Sequence, residues 1–261
     1  GAVATNAATS GLSSVTVVGD DFGVFDGTVS SRIGESACVS SEWTSESSLR
    51  CQVDEGVGGG VGVVVSVRCA TSTAGGVFSY DRPLLTSVSP LNIPVTGGVV
   101  VYVYGSNFGS TDYSAVVKVG ATACTSTTYY TSSFLQCVAS SGVGSLLDVT
   151  VIVGGQEGSL AGVQSYDAPE LSGVDPGSGD TVGGSSTTVS GENLGVFDSS
   201  LKARFGGSAC ASGGWVSDSG VLCKVVAGVG GGLDVTVSVW AVAATLDGSF
   251  SYGSPDVSGV V

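Results

Sequence analysis

An all-β fold, built as a tandem array of seven-stranded β-sandwiches, is what this sequence predicts, and three observations carry the prediction. The first is a repeat. Cys38, Cys124 and Cys210 are evenly spaced (124 − 38 and 210 − 124 both equal 86). Cys51, Cys137 and Cys223 keep the same step, as do Gly19, Gly105 and Gly191, Tyr80, Tyr166 and Tyr252, and Pro83, Pro169 and Pro255. An uninterrupted period makes one unit of that size the folding problem. The second is composition. With 43 Gly, 6 Pro, 11% charged and 42% hydrophobic residues dominated by Val and Ala, the chain favours short strands and tight turns over helices. The third is the pattern inside each copy, where β-branched and aromatic runs are punctuated by glycine.

The copies are assigned to residues 1–83, 84–169 and 170–255, with 256–261 opening a fourth. Pro90 and Pro176 stand near the start of copies two and three, whereas Ala4 occupies that register in copy one, whose start is expected to be truncated. Pro255-Asp256-Val257-Ser258-Gly259-Val260 parallels Pro169-Glu170-Leu171-Ser172-Gly173-Val174, so the chain reads as a portion of a larger protein.

Copy two shows the elements most plainly. An opening strand is expected near Leu85 to Ser89. Val99 to Tyr104, bounded by Gly97-Gly98 and Gly105, reads as a core strand. Gly105-Ser106-Asn107-Phe108-Gly109 supplies residues that tolerate positive φ, and Ala115 to Gly120 follows as a strand. Further strands are expected at Ser133 to Val138, Leu147 to Val153 and Ala161 to Tyr166, with short pieces around Cys124. About seven short strands need two facing sheets to bury their alternating apolar positions, which makes a sandwich the economical architecture.

These residues resemble the IPT/TIG family, the immunoglobulin-like module of plexins, hepatocyte-growth-factor-type receptors and many large cell-surface proteins. The resemblance rests on Ser89-Pro90, Gly97-Gly98, the valine run, Gly105 to Gly109, Val117-Lys118-Val119-Gly120, Cys124 to Cys137, and Ser165-Tyr166 with Pro169, and it recurs in all three copies. Copy three has Asn193-Leu194-Gly195 and copy one Asp21-Phe22-Gly23 where Asn-Phe-Gly is usual; Asp and Asn both accept a left-handed turn. The family includes intracellular DNA-binding members, but the charge and the cysteine pairs look like its extracellular branch. The resemblance implies a fold and a compartment, and no chemistry.

Each cysteine pair, thirteen apart, places one residue after a strand and its mate within another, so Cys38 with Cys51, Cys124 with Cys137, and Cys210 with Cys223 are candidate disulfides. A bridge closing a loop of that length contributes roughly 3 kcal/mol in the chain-entropy model. Free buried thiols repeated by duplication are the competing reading. Metal ligation fails, since the chain has no histidine and one thiolate pair is half a tetrahedral site. Three bridges imply a secreted or surface location. Cys69, whose equivalents are Gly155 and Ala241, has no partner expected within these residues and is either a buried, inert thiol or the origin of a bridge to another chain or to a segment outside this sequence.

Other candidates are weaker. Asp26, Asp112 and Asp198 share one register, and Asp26 with Asp20 and Asp21 is a candidate weak Ca²⁺ site, against an ordinary turn in which each side chain bonds its own backbone. Gly56 to Gly60 and Gly228 to Gly232 resemble phosphate loops but lack their lysine and hydroxyl, and read as hairpin connections. Trp43, Trp215, Tyr129 and Tyr130 fall between paired cysteines, in what is expected to be a contact loop able to stack on a sugar or enter an interface, with packing over the bridge as the alternative. Trp240 stands outside that register.

The net charge of −14, from 22 acids against 8 Lys+Arg, repels phosphate backbones and argues against nucleic acid. A mean hydropathy of +0.43 points to apolar surface destined for burial against neighbours. No run of about eighteen apolar residues is present, so no transmembrane helix or membrane contact is expected within these residues. Zero histidines and no repeated acidic pair argue against an enzyme, and no cofactor is expected. There is no Asn-x-Ser/Thr sequon, while the abundant Ser and Thr allow O-glycans. The reading that follows is a stiff rod or packing unit in an extracellular filament, appendage or matrix, mastigoneme-like in composition, self-assembling or joined to other chains. Its alternative is an adhesin or receptor ectodomain that binds protein or glycan through sandwich-edge loops. Short linkers such as Tyr166-Asp167-Ala168-Pro169-Glu170-Leu171 favour the rod, because few spare residues and a proline limit bending.

Overall fold

A computed structural model describes residues 6–259, and every regular element among them is a β-strand. Ala4 and the last residues of the expected fourth copy, 260–261, lie outside the described residues; 253–259 form no strand. The chain divides into two compact units. One comprises Gly1–Ser89, Val100–Ala139 and Asp148–Ala161; the other comprises Pro90–Val99, Ser140–Leu147 and Gly162–Val261. The division falls inside the middle copy, and each unit holds one whole flanking copy.

In the first unit, the first copy is a two-sheet sandwich. Ser14–Val18, Ser48–Gln52 and Ser40–Ser45 form one antiparallel sheet in that spatial order. The other runs Asn6–Ala7, Ala70–Tyr80, Val61–Val67, Val29–Ile33, Ser36–Ala37. Strand side chains alternate between faces, so Val15 and Val17 of one sheet meet Ile33, Val63, Val65 and Phe78 of the other while Thr16 and Ser66 stay outside the core. The same alternation shapes the middle copy's part of this unit. Leu84–Ser89, Val100–Ser106, Phe134–Val138 and Ser126–Thr131 form an antiparallel sheet. Val101, Val103, Leu135 and Cys137 are fully buried there, whereas Tyr102 and Tyr104 face out. Burial of each such apolar side chain stabilises by roughly 1.5–3 kcal/mol, so the alternating pattern alone fixes which face turns inward. Val116–Val119 pairs with Leu147–Val153 from Val116 opposite Ile152 to Val119 opposite Val149.

In the second unit, the third copy repeats the plan. Glu170–Asp175, Ser186–Glu192, Gly220–Lys224 and Ser212–Ser217 make one sheet, and Ser178–Gly179, Val242–Tyr252, Leu233–Val239, Lys202–Phe205 and Ser208–Ala209 the other. Val189, Leu194, Phe205, Val221, Val235, Val237 and Phe250 fill the space between them. The middle copy's Asn92–Ile93 pairs in parallel with Ser165–Tyr166, as Ser178–Gly179 does with Ser251–Tyr252.

Discounting the two-residue segments, the second and third copies have seven strands each, the expected number, and the first has six among the described residues. The expected Ala161 to Tyr166 strand is longer, Gln156–Tyr166, because a two-glycine turn at Gly154-Gly155 returns the chain directly into pairing. Two readings of the glycine and aromatic segments are corrected. Gly56 to Gly60 and Gly228 to Gly232 are not hairpins: each carries the chain from a strand of one sheet, Ser48–Gln52 or Gly220–Lys224, to a strand of the opposite sheet. The contact loop expected between the paired cysteines is instead an edge strand, Ser40–Ser45, Ser126–Thr131 or Ser212–Ser217, closed by a tight turn onto the next strand.

Candidate functional site

Each copy closes on a tyrosine. Tyr80, Tyr166 and Tyr252 are buried at the end of the last strand, and their hydroxyls donate to the carbonyls of Asp54, Ser140 and Val226 at 3.2, 2.8 and 2.8 Å. Gly56, Gly142 and Gly228 lie under the rings. A Cβ there would come within 2.6, 2.5 and 2.5 Å of the tyrosine Cζ, so these positions need glycine for want of space. Burial, with Asp54 nearby, pushes the Tyr80 phenol up to about 12, and burial raises Tyr166 as well.

The cysteines join opposite sheets. Cys38, Cys124 and Cys210 donate backbone N–H to Ser31, Val117 and Ala203, which places them beside one sheet, while Cys51, Cys137 and Cys223 are buried in strands of the other. The bridges Cys38–Cys51, Cys124–Cys137 and Cys210–Cys223 span Cα separations of 5.7, 5.8 and 5.6 Å. Each ties its sandwich together across the core. Cys69 is exposed and free, in the turn between Val61–Val67 and Ala70–Tyr80, next to Arg68, whose guanidinium lies 5.4 Å from the Phe25 ring centroid.

The expected Ca²⁺ set does not assemble. Among the described residues no three acidic or sulfur side chains converge, so Asp20, Asp21 and Asp26 form no ligand group. Asp26 is already engaged: its Oδ1 accepts from the Thr28 N–H at 3.2 Å, as Asp112 does from Ser114 at 2.8 Å and Asp198 from Ser200 at 2.9 Å. The three are turn-forming aspartates.

The aromatic candidates separate into two kinds. Trp43, Tyr129 and Trp215, all in one register, turn their polar tips back to the carbonyls of Gly23, Gly109 and Gly195 at 3.2, 2.9 and 2.8 Å. They latch the Asp/Asn-Phe/Leu-Gly turn rather than offering a contact loop. Tyr130 does face solvent, 52% exposed, with its hydroxyl bonded to Gln136 Oε1 at 3.0 Å. It joins Phe134, Tyr104 and Tyr102 in an aromatic cluster on the outer face of the middle copy, with ring centroids 5.2, 5.0 and 6.1 Å from Phe134. Sequence reading missed this cluster because its members come from three strands and only pairing brings them together.

The latched turns lead to the site that recurs between copies. In the first unit, Asn107, with φ of 65°, donates from Nδ2 to the Arg82 carbonyl in the linker at 3.1 Å. A Cβ on Gly109 would lie 3.1 Å from Val57 Cγ1, and one on Gly58 would lie 3.2 Å from the Gly154 carbonyl oxygen. The turn of the second copy's last hairpin therefore sits, backbone to backbone, on the glycine-rich crossover of the first. Gln156 adds a hydrogen bond from Nε2 to the Tyr80 carbonyl at 3.0 Å. In the second unit, Asn193 donates to the Ala168 carbonyl at 3.1 Å. A Cβ on Gly195 would lie 3.1 Å from Val143 Cγ1, and one on Gly144 would lie 3.2 Å from Trp240 Cδ1. Every one of these positions is displaced from its counterpart by one period, with Trp240 replacing Gly154. The two joints share one frame and differ in what fills it.

Comparison with known proteins gives one family. The profile of the IPT/TIG domain matches residues 3–80, 83–166 and 169–252. The chain is 29% identical over 193 residues to Plexin-2 of Caenorhabditis briggsae, covering 71% of this chain and 11% of that protein. It is 29% identical over 188 residues to Plexin-2 of Caenorhabditis elegans, covering 69% and 10%. It thus spans about a tenth of the length of either plexin. Among solved structures, the Plexin A4 full extracellular region aligns over 95% of this chain and 33% of that one, at 16% identity and a TM-score of 0.34.

Proposed function

We propose, from the premise that this chain belongs to the IPT/TIG family and is an extracellular, disulfide-bonded array of such modules, that it serves as a stiff structural spacer or packing unit in a large extracellular filament, appendage or matrix. The observation that carries the reading is the joint made twice with the same residues: Asn on the linker carbonyl, glycine on valine, hairpin turn on crossover. A flexible tether has no use for a specific contact on each side of a short linker, whereas a spacer that must hold its direction does. The sulfur bridge in every module suits a protein exposed to an oxidising exterior, and the role needs no catalytic group.

Small-angle scattering tests the spacer. Three modules of about 30 Å held in line give a radius of gyration near 27 Å, against about 18 Å for a compact body of this length. A value near 18 Å, or a broad distribution of distances typical of loose joints, defeats the proposal.

One observation favours a second reading, an ectodomain that binds a protein or glycan. The cluster of Tyr102, Tyr104, Tyr130 and Phe134 is confined to the middle copy; the equivalent positions are Thr16, Val18, Thr44 and Ser48 in the first and Thr188, Ser190, Val216 and Gly220 in the third. Aromatic side chains of this kind are common anchors at binding surfaces. Capture of a cell-surface ligand that is lost in Tyr104→Ala and Tyr130→Ala, with folding intact, supports it over the spacer.

A further inference from the structure

Four strands of the middle copy, Leu84–Ser89, Val100–Ser106, Phe134–Val138 and Ser126–Thr131, contain no Asp, Glu, Lys or Arg. They form one sheet, and its outer face carries the aromatic cluster. The corresponding sheets of the flanking copies are charged. In the first, Arg50 stands opposite Thr16 and Glu42. In the third, Glu170, Asp175, Glu192 and Lys224 belong to the strands. The row that crosses the middle sheet at the level of Arg50 is Ser89, Tyr102, Gln136 and Thr128, and neither sign of charge appears in it. A chain with a net charge of −14 thus keeps one sheet face neutral, and on that face Tyr102, Tyr104 and Tyr130 stay 38%, 42% and 52% exposed.

Charge decides what such a face can meet. Two copies of a chain at −14 repel one another, and with screening over about 8 Å at physiological ionic strength the repulsion is least where neither surface carries charge. A two-fold contact also brings a patch against itself, so a charged patch meets its own sign near the axis and an uncharged one meets nothing that repels it. Depletion of charge with enrichment of Tyr and Phe is the composition of the buried centre of a protein interface. The rings also lie against one another. Tyr102 and Tyr104 stack on Phe134 with planes 19° and 21° apart, instead of spreading as bare platforms for sugar rings.

We propose that the outer face of this sheet is a lateral contact between two copies of the chain, sheet packed on sheet about a two-fold axis near Phe134, the residue that every other ring of the cluster touches. This deepens the packing-unit reading and rests on it, and it assigns the cluster to self-association in place of ligand capture. Four strands about 4.8 Å apart, with about five residues each at about 3.4 Å, offer roughly 320 Å² of face per partner. The pair covers about 650 Å², short of the roughly 1,000 Å² of a stable dimer, so one contact is weak and holds arrays together only when many act side by side.

Sedimentation equilibrium on the whole chain is the test. The average mass climbs from one chain towards two between about 0.01 and 1 mM, the range expected of a contact of that size. Phe134→Glu stays at the mass of one chain with its melting transition little changed, since Ser48 and Gly220 fill that register in the flanking copies. Tyr130→Glu, at an exposed position held by Thr44 and Val216 elsewhere, gives the same loss. Phe134→Lys alone also stays single, but mixed in equal amounts with Phe134→Glu it associates, because opposite charges then face each other near the axis. A natural chain that remains single at about 1 mM overturns the proposal, as do glutamate variants that associate like the natural chain or a mixture that does not associate. Retention of the still single natural chain on an immobilised neutral glycan or an unrelated surface protein overturns it in favour of the ectodomain reading. A compact radius of gyration at high dilution defeats the spacer and leaves this contact standing, so the two failures are told apart.

Discussion

The joint between the first and second copies and the joint between the second and third use the same frame with opposite fillers. At the first, Gly154 brings bare backbone against Gly58, and the Gln156 amide reaches back to the Tyr80 carbonyl. At the second, Trp240 covers Gly144 with a side chain that remains 70% exposed, and Val242 replaces the glutamine. The lesson is that the asparagine and the glycine over valine define the joint, while the hairpin turn only decides how closely it shuts. A close joint requires glycine on both sides; a looser one tolerates the largest side chain available.

The largest expected effect comes from forcing the second filler onto the first joint. Gly154 has φ of 56°, and a Cβ there would sit 2.8 Å from the Gly58 nitrogen, so Gly154→Trp adds overpacking of about 1–3 kcal/mol to a left-handed cost of about 1–2 kcal/mol. The joint should open, with Val57 methyls newly accessible to a paramagnetic agent and the second copy's own melting little changed; an unaltered Val57 means the frame does not depend on the turn.

The next test moves from the joints to the cores they connect. Phe78 and Phe250 are buried and meet Tyr80 and Tyr252 edge to face at 5.3 Å, but the middle copy has Gln164 there, fully buried with neither amide atom bonded to protein. An unsatisfied buried polar group costs about 1–3 kcal/mol, so Gln164→Phe should stabilise the middle copy by that order, read as a raised melting transition. A lowered transition would mean that the amide is satisfied and the core is shaped around it. Gln156→Ala removes one hydrogen bond of about 1 kcal/mol and should loosen the first joint alone, leaving Val143 as protected as before. The smallest effect is expected from Trp240→Gly. Relief of a left-handed residue, φ of 54°, offsets the modest burial lost, so the net change should stay within about 0.5 kcal/mol by thermal denaturation, and a loss above about 2 kcal/mol would make Trp240 a true anchor.

How far these sites were legible depends on the kind of signal. Strands such as Val100–Ser106 and Leu147–Val153 announce themselves through β-branched runs between glycines, and the fixed period carries each assignment to the other copies. Trp43, Tyr129 and Trp215 misled because the stretch between the cysteines is polar and repeats poorly; polar edge strands lack the alternation that marks a strand, since they bury little on either face. The hydrogen bonds that latch those aromatics link residues twenty apart, which no local pattern encodes. Gly58 and Gly144 were visible as glycines, but their purpose lies in a neighbouring copy. The register relating them to Gly154 and Trp240 was present in the numbering, and only the fold shows that those two registers touch.

One detail of the strand pairing bears on how such a module carries load. In each copy a two-residue segment near the start runs parallel to the end of the last strand: Asn6–Ala7 beside Ser79–Tyr80, Asn92–Ile93 beside Ser165–Tyr166, Ser178–Gly179 beside Ser251–Tyr252. Hydrogen bonds at those clasps, among them Asp167 to Ile93 at 2.9 Å and Gly253 to Gly179 at 3.0 Å, lie across the direction in which tension on the chain ends would pull. Parallel partners tugged from opposite ends slide past one another, so the bonds of a clasp must fail together rather than peel one by one. In the second and third copies tension entering the module reaches Leu84–Ser89 or Glu170–Asp175 first and the clasp next, so a pulled module sets an antiparallel edge and a parallel clasp, one on each sheet, against the load in turn.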